Sequence, residues 1–385
     1  MTLWTRIITA LAVGVALTLA LLMGERLVPR PAAPTSDAGL LREVIGHVQR
    51  DYVDPVDDQQ LLRAAVRGIV ADLDAHSAFL DEREFADVRS GATGRYSGVG
   101  LELTQQGETI IVMNAMADSP AGRAGVQHGD VVAAIDGIAV AGLPLTRIVR
   151  QLRGPAGSSV TLGLTRAAVS LEVELVRDEV VMISARHRRL PDDIGYLHIR
   201  QFHERTTREV QASLSQLQDG ERLQGLVIDL RNNPGGLLDA AVEVADLFLD
   251  SGVIVSARGR TADARFSYTA APGTALGQVP IVILVNGASA SGAEILAGAL
   301  RDHDRAVLLG TSTFGKGLVQ TVMPLSDGQA IKLSTSRYYT PAGDYIHERG
   351  LTPDIVVQPG ALNTDAQLQR AVDWLRNAGM SAPAN

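Results

Sequence analysis

Two serines in a turn of small residues, Ser289 and Ser291, are the side chains best placed to act as nucleophiles. The turn follows an unbroken apolar run at residues 280–285, which predicts a buried strand, and precedes an apolar helical segment at residues 293–300. Backbone amides at a helix start point outward, and the helix dipole favours negative charge there. The turn therefore predicts a platform for a nucleophilic serine. A purely structural role is the alternative, because Ser291 and Glu294 fit the S-x-x-E capping box.

A serine nucleophile needs a base, and Lys316 is the candidate. Of the 35 basic residues, only Lys316 and Lys332 are lysines, and the others are arginines. A lysine can give up its proton when burial lowers its pKa toward neutrality, whereas an arginine cannot. Gly315 and Gly317 give the Lys316 loop room to bend under the serine turn. The alternating pattern around Lys332 instead predicts a solvent-exposed strand residue.

Other chemistries fit the sequence less well. His303, paired with Asp302 or Asp304, is an alternative base for a Ser-His-Asp arrangement, but these residues lie in a polar turn after the serine helix. Residues 310–316 match most of a P-loop pattern, yet Gly317 stands where the Ser or Thr that holds Mg²⁺ is needed. The histidines are scattered and form no metal-binding motif. No metal and no cofactor is predicted.

Composition excludes several classes of function. The net charge is −8 and no long basic run occurs, which argues against nucleic acid as a partner. There are no cysteines, which excludes disulfides, thiolate metal sites and a cysteine nucleophile.

Short alternating strands between residues 96 and 166 resemble a PDZ domain in their order and spacing. In such domains a glycine-rich loop offers backbone amides to the terminal carboxylate of a peptide, and the peptide adds a strand to the sheet. A glycine turn without a ligand is the alternative. The resemblance identifies the loop with five consecutive residues: Ser97, Gly98, Val99, Gly100 and Leu101.

Three further segments, at residues 229–236, 285–300 and 313–320, together resemble the C-terminal processing peptidases, exported serine proteases with a PDZ domain and a Ser/Lys catalytic pair. The similarity extends over roughly residues 41–357. It implies Ser291 as the nucleophile, with Ser289 as the one rival. The other roles that it implies are Lys316 as the base, Gln320 as its orienting partner, and the backbone amides of Gly235 and Gly292 as the oxyanion hole.

The expected fold class is a multidomain α/β protein, with an N-terminal helical region, a small β-rich PDZ domain and an α/β serine peptidase core resembling the ClpP/crotonase type. The expected domains are a signal peptide or membrane anchor at 1–30, the helical region at 31–92, the PDZ domain at 93–178, the peptidase at 179–360 and a C-terminal helix at 361–385.

The apolar run at residues 7–23 predicts export, with the segment either cleaved or kept as an inner-membrane anchor. The expected location is therefore periplasmic. The small helical region is expected to pack on another domain or on a second copy of itself.

The predicted function is a serine endopeptidase that recognises the C-terminal end of protein substrates and cleaves nearby. Arg153, close to the end of the PDZ helix, is predicted to report occupancy of the PDZ domain to the catalytic pair; a solvated arginine is the alternative. The competing functions are a catalytically silent PDZ scaffold and an α/β enzyme acting on acyl thioesters. The intact Ser291, Lys316 and Gln320 set argues against the first, and the PDZ segment argues against the second.

Overall fold

A computed structural model describes residues 37–220, 222–360 and 365–380 of the chain. The chain divides after Asp72 into two compact units. The first contains helices α1 (Asp37–Asp51) and α2 (Asp58–Ala71). Helix α2 begins at the N-cap Asp57, whose carboxylate accepts a hydrogen bond from a backbone amide of the first turn. The predicted export segment lies outside the described residues.

The second unit contains the remaining described elements. Its helices are α3 (Glu82–Thr93), α4 (Pro120–Arg123), α5 (Leu145–Leu152), α6 (Thr206–Gln218), α7 (Leu238–Asp246), α8 (Gly292–Asp302) and α9 (Ala366–Met380). Its strands are β1 (Ala78–Leu80), β2 (Arg95–Gly98), β3 (Leu101–Gln106), β4 (Thr109–Ala115), β5 (Val131–Ile135), β6 (Ile138–Ala139), β7 (Ser159–Arg166), β8 (Val169–Val176), β9 (Asp178–Val181), β10 (Ala185–Leu190), β11 (Ile194–Ile199), β12 (Gly225–Asp229), β13 (Val253–Gly259), β14 (Phe266–Thr269), β15 (Ile281–Val285), β16 (Val307–Gly310), β17 (Leu318–Pro324), β18 (Ala330–Tyr339) and β19 (Ile355–Val356).

A six-stranded sheet in the order β10-β11-β12-β15-β16-β19 forms the centre of the second unit. Only the β10–β11 pair is antiparallel among these strands. Every residue of β12 and β15 is buried, because both faces of the sheet are covered. Ile281, Ile283 and Val285 pack in the cluster that includes helices α6, α7 and α8, while Val282 and Leu284 pack with the C-terminal helix α9. This covering explains the unbroken apolar run in the sequence.

The region predicted to be a PDZ domain forms its own sheet, in the order β3-β4-β5-β7-β8 with β6 beside β5. Its core is a separate apolar cluster that includes Val99, Val112, Ile148 and Leu162, so helix α5 packs on this sheet. Strand β2 pairs instead with β9, directly after the PDZ sheet.

An antiparallel sheet, in the order β1-β18-β13-β14 with β17 paired to β18, lies beside the parallel sheet. Strand β1 comes from residues 78–80, within the predicted N-terminal helical region, yet it pairs with β18 of the peptidase region. The compact second unit thus begins at Leu73, before the predicted boundary at residue 92. Long-range strand pairing decided this boundary, and the local helical pattern did not reveal it.

Candidate active site

Ser291 occupies the tight connection between strand β15 and helix α8. It is the N-cap residue of α8 and has a φ of 54°, a left-handed conformation that is uncommon for a residue with a side chain. The turn is crowded, since a Cβ atom added to Gly235 would lie 2.8 Å from Ser291 Cβ. The neighbouring loop can therefore approach the serine only because it has glycine at this position.

Glu294 fixes the backbone on both sides of the candidate catalytic pair. Its fully buried carboxylate accepts hydrogen bonds from the Ser291 amide at 2.8 Å and from the Lys316 amide at 2.9 Å. It also accepts from the Gly315 amide at 2.7 Å and from Thr313 Oγ1 at 2.5 Å. One carboxylate thus joins the turn that carries Ser291 to the loop that carries Lys316.

Lys316 is held by side-chain and backbone groups from three parts of the chain. Its Nζ donates to Gln320 Oε1 at 2.8 Å, and Gln320 Nε2 donates to the carbonyl oxygen of His76 at 2.5 Å. Gly315, with a φ of 86°, gives the loop the bend that the sequence predicted. The structure therefore brings Lys316 and Gln320 together.

Burial lowers the pKa of Lys316 below its ordinary value, and the nearby Lys332 ammonium lowers it further. The carboxylates of Asp74 and Glu294 act in the opposite direction. Compared with an ordinary lysine, the lowered pKa shifts Lys316 toward the neutral amine, which is the form that can accept a proton.

Ser291 and Lys316 line one cleft of about 410 Å³. Gly235, Gly292 and Gln320 line it as well, so the cleft contains all five residues predicted to be catalytic. Lys332 also lines this cleft and is half-buried, so its prediction as a solvent-exposed strand residue is wrong. The cause is that Lys332 shares one face of the sheet with its cross-strand neighbour Val322, and this face borders the cleft.

The predicted oxyanion hole is only partly open. The Gly235 amide donates a hydrogen bond of 2.8 Å to Oδ1 of Asn233, which is fully buried and whose Nδ2 donates to the Ile199 carbonyl at 2.9 Å. A backbone amide has one hydrogen, so Gly235 is not free to bind an oxyanion in this arrangement. The Gly236 amide makes no hydrogen bond within the described part of the chain. Gly292, the first residue of α8, has no intrahelical acceptor for its amide.

The two alternatives to the Ser291–Lys316 pair are poorly placed. The Ser289 hydroxyl is fully buried and donates to the Leu230 carbonyl at 2.8 Å. His303 follows the last residue of α8, and its Nε2 lies 2.7 Å from the Val253 carbonyl oxygen. An 11-residue helix separates His303 from Ser291, which corresponds to about 16 Å. His303 is therefore at the wrong end of the helix to act as the base.

A second cavity, of about 480 Å³, lies between the PDZ region and the parallel sheet. Val99, Gly100 and Leu101 line it, and the amides of Val99 and Gly100 donate no hydrogen bond to any residue that the structure describes. Ser97 and Gly98, which the sequence placed in the same loop, belong to strand β2 and do not line the cavity. Their pairing with strand β9 removes them from the loop.

Arg153 lines the second cavity at the end of helix α5. Its Nη1 donates to Asp87 Oδ1 at 2.6 Å, and its guanidinium lies 5.1 Å from the centre of the Tyr96 ring. Arg153 does not line the cleft that contains Ser291 and Lys316. Any effect of Arg153 on the catalytic pair must therefore act through other residues, starting with helix α3.

Several residues of the site escaped the sequence analysis. The S-x-x-E spacing of Glu294 indicates a helix cap, but it does not reveal the hydrogen bonds to the lysine loop. Asn233 was part of a glycine-rich turn, and His76 contributes only its backbone carbonyl, so its residue type carries no signal. Among the described residues no group of histidines and acidic side chains could hold a metal ion.

Comparisons with known proteins give the family of the chain. The sequence profile of peptidase family S41 matches residues 193–357, and a PDZ-domain profile matches residues 111–166. The carboxy-terminal-processing protease of Bartonella bacilliformis is 43% identical over 321 residues, which cover 82% of this chain and 74% of that protein. A probable CtpA-like serine protease of Staphylococcus epidermidis is 34% identical over 314 residues, 80% of this chain and 63% of its own length.

A solved structure, the photosystem II D1 C-terminal processing protease, is 33% identical, with a TM-score of 0.52 over 89% of this chain and 97% of that chain. Fold and similarity together define a serine-type peptidase with a PDZ domain. The chain belongs to the carboxy-terminal-processing proteases of peptidase family S41. No helix among the described residues has the length and apolar character needed to cross a bilayer.

Proposed function

We propose that this peptidase cleaves protein substrates by a Ser/Lys acyl-enzyme mechanism, with Ser291 as the nucleophile and Lys316 as the general base. The observation that carries the proposal is the hydrogen-bonded series from Lys316 Nζ to Gln320 and on to the His76 carbonyl, in the cleft that also holds Ser291. Neutral Lys316 has two hydrogens and one lone pair. One hydrogen donated to Gln320 leaves the lone pair to accept the serine proton.

In the first half of the reaction, Ser291 Oγ forms a bond to the scissile carbonyl carbon while its proton passes to Lys316 Nζ. The carbonyl oxygen becomes negative and accepts hydrogen bonds from the backbone amides of Gly292 and Gly236. The Gly235 amide could contribute only after breaking its hydrogen bond to Asn233. The carbon–nitrogen bond then breaks, and the Lys316 ammonium gives its proton to the leaving amine. Water hydrolyses the acyl-enzyme with Lys316 acting again as the base.

We further propose that the loop at Val99, Gly100 and Leu101 binds the terminal carboxylate of the substrate. The support is the pair of unused amides on the wall of the second cavity. Amidation of a substrate C-terminus removes the negative charge that these amides would bind. Cleavage of an amidated peptide should then be slower by about tenfold, mainly through KM. Equal kcat/KM values for free-acid and amidated peptides would remove the PDZ region from substrate choice.

An unfolded protein substrate tests the catalytic assignment. Wild-type protein should cleave it, and Ser291→Ala, which keeps the fold, should not. Cleavage products mapped by mass spectrometry should lie near the substrate C-terminus. Undiminished cleavage by folded Ser291→Ala protein would contradict the assignment, and Ser289→Ala serves as the matched control at the rival serine.

We also propose export to the periplasm, based on the apolar segment at residues 7–23, with retention as an inner-membrane anchor as the alternative. Self-association through α1 and α2 remains part of the proposal, because both helices carry exposed apolar side chains, among them Leu40, Val44, Leu62 and Ile69.

A further inference from the structure

The two lysines of the chain line the same cleft, although Lys316 lies in a loop and Lys332 lies in strand β18. Lys332 lies in the middle of the antiparallel sheet, opposite Ala78 of β1 and Val322 of β17. Its side chain is half-buried and interacts electrostatically with Lys316 and with the His76 ring. The cleft thus contains a second cation that the proposed mechanism does not use.

Lys332 has no anionic partner within the described part of the chain, where it forms neither an ion pair nor a hydrogen bond. Two acidic side chains near the pair are already engaged. Asp74 accepts hydrogen bonds from Ser77 Oγ at 2.8 Å and from Ser334 Oγ at 3.3 Å, and from two backbone amides. Glu294 accepts its four hydrogen bonds from the serine turn and the lysine loop. Among the described residues, no carboxylate is therefore in ion-pair or hydrogen-bond contact with the Lys332 ammonium.

The apolar walls of the cleft increase the effect of the Lys332 charge on which peptides bind. Apolar side chains cover much of its surface, including Phe202, Leu237, Ile295, Leu318 and Val322. A peptide lying in the cleft would displace water from these walls and from the Lys332 ammonium. An ammonium that loses water without gaining a partner raises the free energy of the complex, whereas a carboxylate of the peptide would supply a charge-assisted hydrogen bond.

We propose that Lys332 is a specificity-determining residue that binds an acidic side chain of the peptide, so that the cleft selects substrates carrying Asp or Glu close to the scissile bond. The proposal rests on the peptidase function proposed above, because it requires a peptide in the cleft. It assigns Lys332 to ground-state binding, while Lys316 remains the base.

Fluorescence-quenched peptides of one neutral sequence test this assignment. A single Glu is moved through the positions on either side of the scissile bond, and each peptide is matched with a peptide that has Gln at the same position. At one position or two adjacent positions, the Glu peptide should exceed its Gln counterpart by about tenfold in kcat/KM, through a lower KM. Every pair is made as a free acid and as an amide, to separate the side-chain carboxylate from the terminal one.

Two substitutions at Lys332 provide the contrast. Lys332→Met keeps an unbranched side chain that is one atom shorter and uncharged, and it should reduce the Glu/Gln ratio to about one. Lys332→Arg keeps a cation and should retain most of the ratio. Because the ratio is taken within each variant, a change in overall activity or a loss of stability does not imitate the result.

Peptide binding to the Ser291→Ala protein tests the role of Lys332 independently of the Ser/Lys mechanism. Fluorescence anisotropy should show the same preference for Glu in Ser291→Ala, and its loss in the Ser291→Ala/Lys332→Met double variant. If no peptide is cleaved but this preference is found, the mechanism fails and the role of Lys332 stands. Equal binding of Glu and Gln peptides at every position would overturn the role of Lys332, as would a preference that survives Lys332→Met or occurs only with free-acid peptides.

Discussion

The cleft with Ser291 and Lys316 and the cavity beside the PDZ loop are held in very different ways. Around the catalytic pair the contacts are buried hydrogen bonds, and Glu294 alone accepts four of them. The PDZ region is joined to its surroundings by ion pairs between exposed groups. In the Arg153–Asp87 pair the two side chains are 35% and 64% exposed, and in the Arg200–Glu102 pair, at 2.6 Å, the arginine is 41% and the glutamate 19% exposed, so these pairs lie at least partly in solvent.

This difference corresponds to two tasks, catalysis in the cleft and peptide binding by the PDZ region. Ion pairs between exposed groups contribute about 0–1 kcal/mol each, so the PDZ region can change its contacts at small cost. Buried carboxylate hydrogen bonds are expensive to break, so the chemical groups keep their positions. The molecule combines a fixed chemical centre with a binding region that is held more weakly. The predictions below test this contrast from its strongest side to its weakest.

The largest effect is expected for Lys316→Arg. A guanidinium cannot be deprotonated in a protein, so the variant should fold but lose cleavage by at least about a thousandfold, as Lys316→Ala does. Circular dichroism checks the fold, and a peptide assay measures kcat. Folded Lys316→Arg protein with substantial activity would refute the Ser/Lys mechanism, and His303 could not replace Lys316 because it lies at the far end of α8.

Glu294→Gln tests whether the buried carboxylate holds the centre together. The Gln amide group would face N–H donors that now donate to a carboxylate, so the free energy of unfolding should fall by about 2–4 kcal/mol. Displacement of the serine turn from the lysine loop should reduce kcat by about a hundredfold. Denaturant unfolding and steady-state kinetics measure the two effects. Thr313→Ser, which keeps the hydroxyl that donates to Glu294, should lower kcat less than about threefold.

The pH dependence of kcat tests the state of Lys316. Only the neutral amine accepts the serine proton, so activity should rise with pH through the depressed pKa of Lys316. Lys332 lowers this pKa, while Asp74 and Glu294 raise it, and the His76 ring also lies near the lysines. Removal of the Lys332 charge in Lys332→Met should therefore move the rising limb to higher pH, and Lys332→Arg should leave it nearer to the wild-type position. Superimposable profiles for wild type and Lys332→Met would contradict this electrostatic link.

The smallest effect on stability is expected for Arg153→Ala. Loss of its ion pair to Asp87 should change the free energy of unfolding by less than about 1 kcal/mol. If Arg153 reports PDZ occupancy, the variant should still lose much of its discrimination between free-acid and amidated substrates. Asp87→Ala, which removes the partner and keeps the arginine, is the matched variant. Unchanged activity and unchanged discrimination in both variants would end the proposal for Arg153.

Local pattern and motif were enough to predict much of this protein. The apolar run of β15, the turn of small residues and the start of α8 are adjacent in the chain, so their arrangement follows from short-range chemistry. Lys316 and Gln320 are four residues apart in one motif, and the structure joins them by a hydrogen bond of 2.8 Å. The pairing of Ser291 with Lys316 was predicted from the residue types and from the family resemblance, and the tertiary structure places both residues in one cleft.

Only the tertiary structure decided the contacts between distant segments. The His76 carbonyl orients Gln320 across 244 positions of sequence, and a backbone carbonyl leaves no mark in the residue types. Lys332 lines the cleft because the register of β17 and β18 places it beside Val322, on the face of the sheet that borders the cleft. Asn233 captures the Gly235 amide because both lie in one folded turn. Sequence pattern fixes which residue types are available, while strand register and loop closure determine the direction of each side chain and amide.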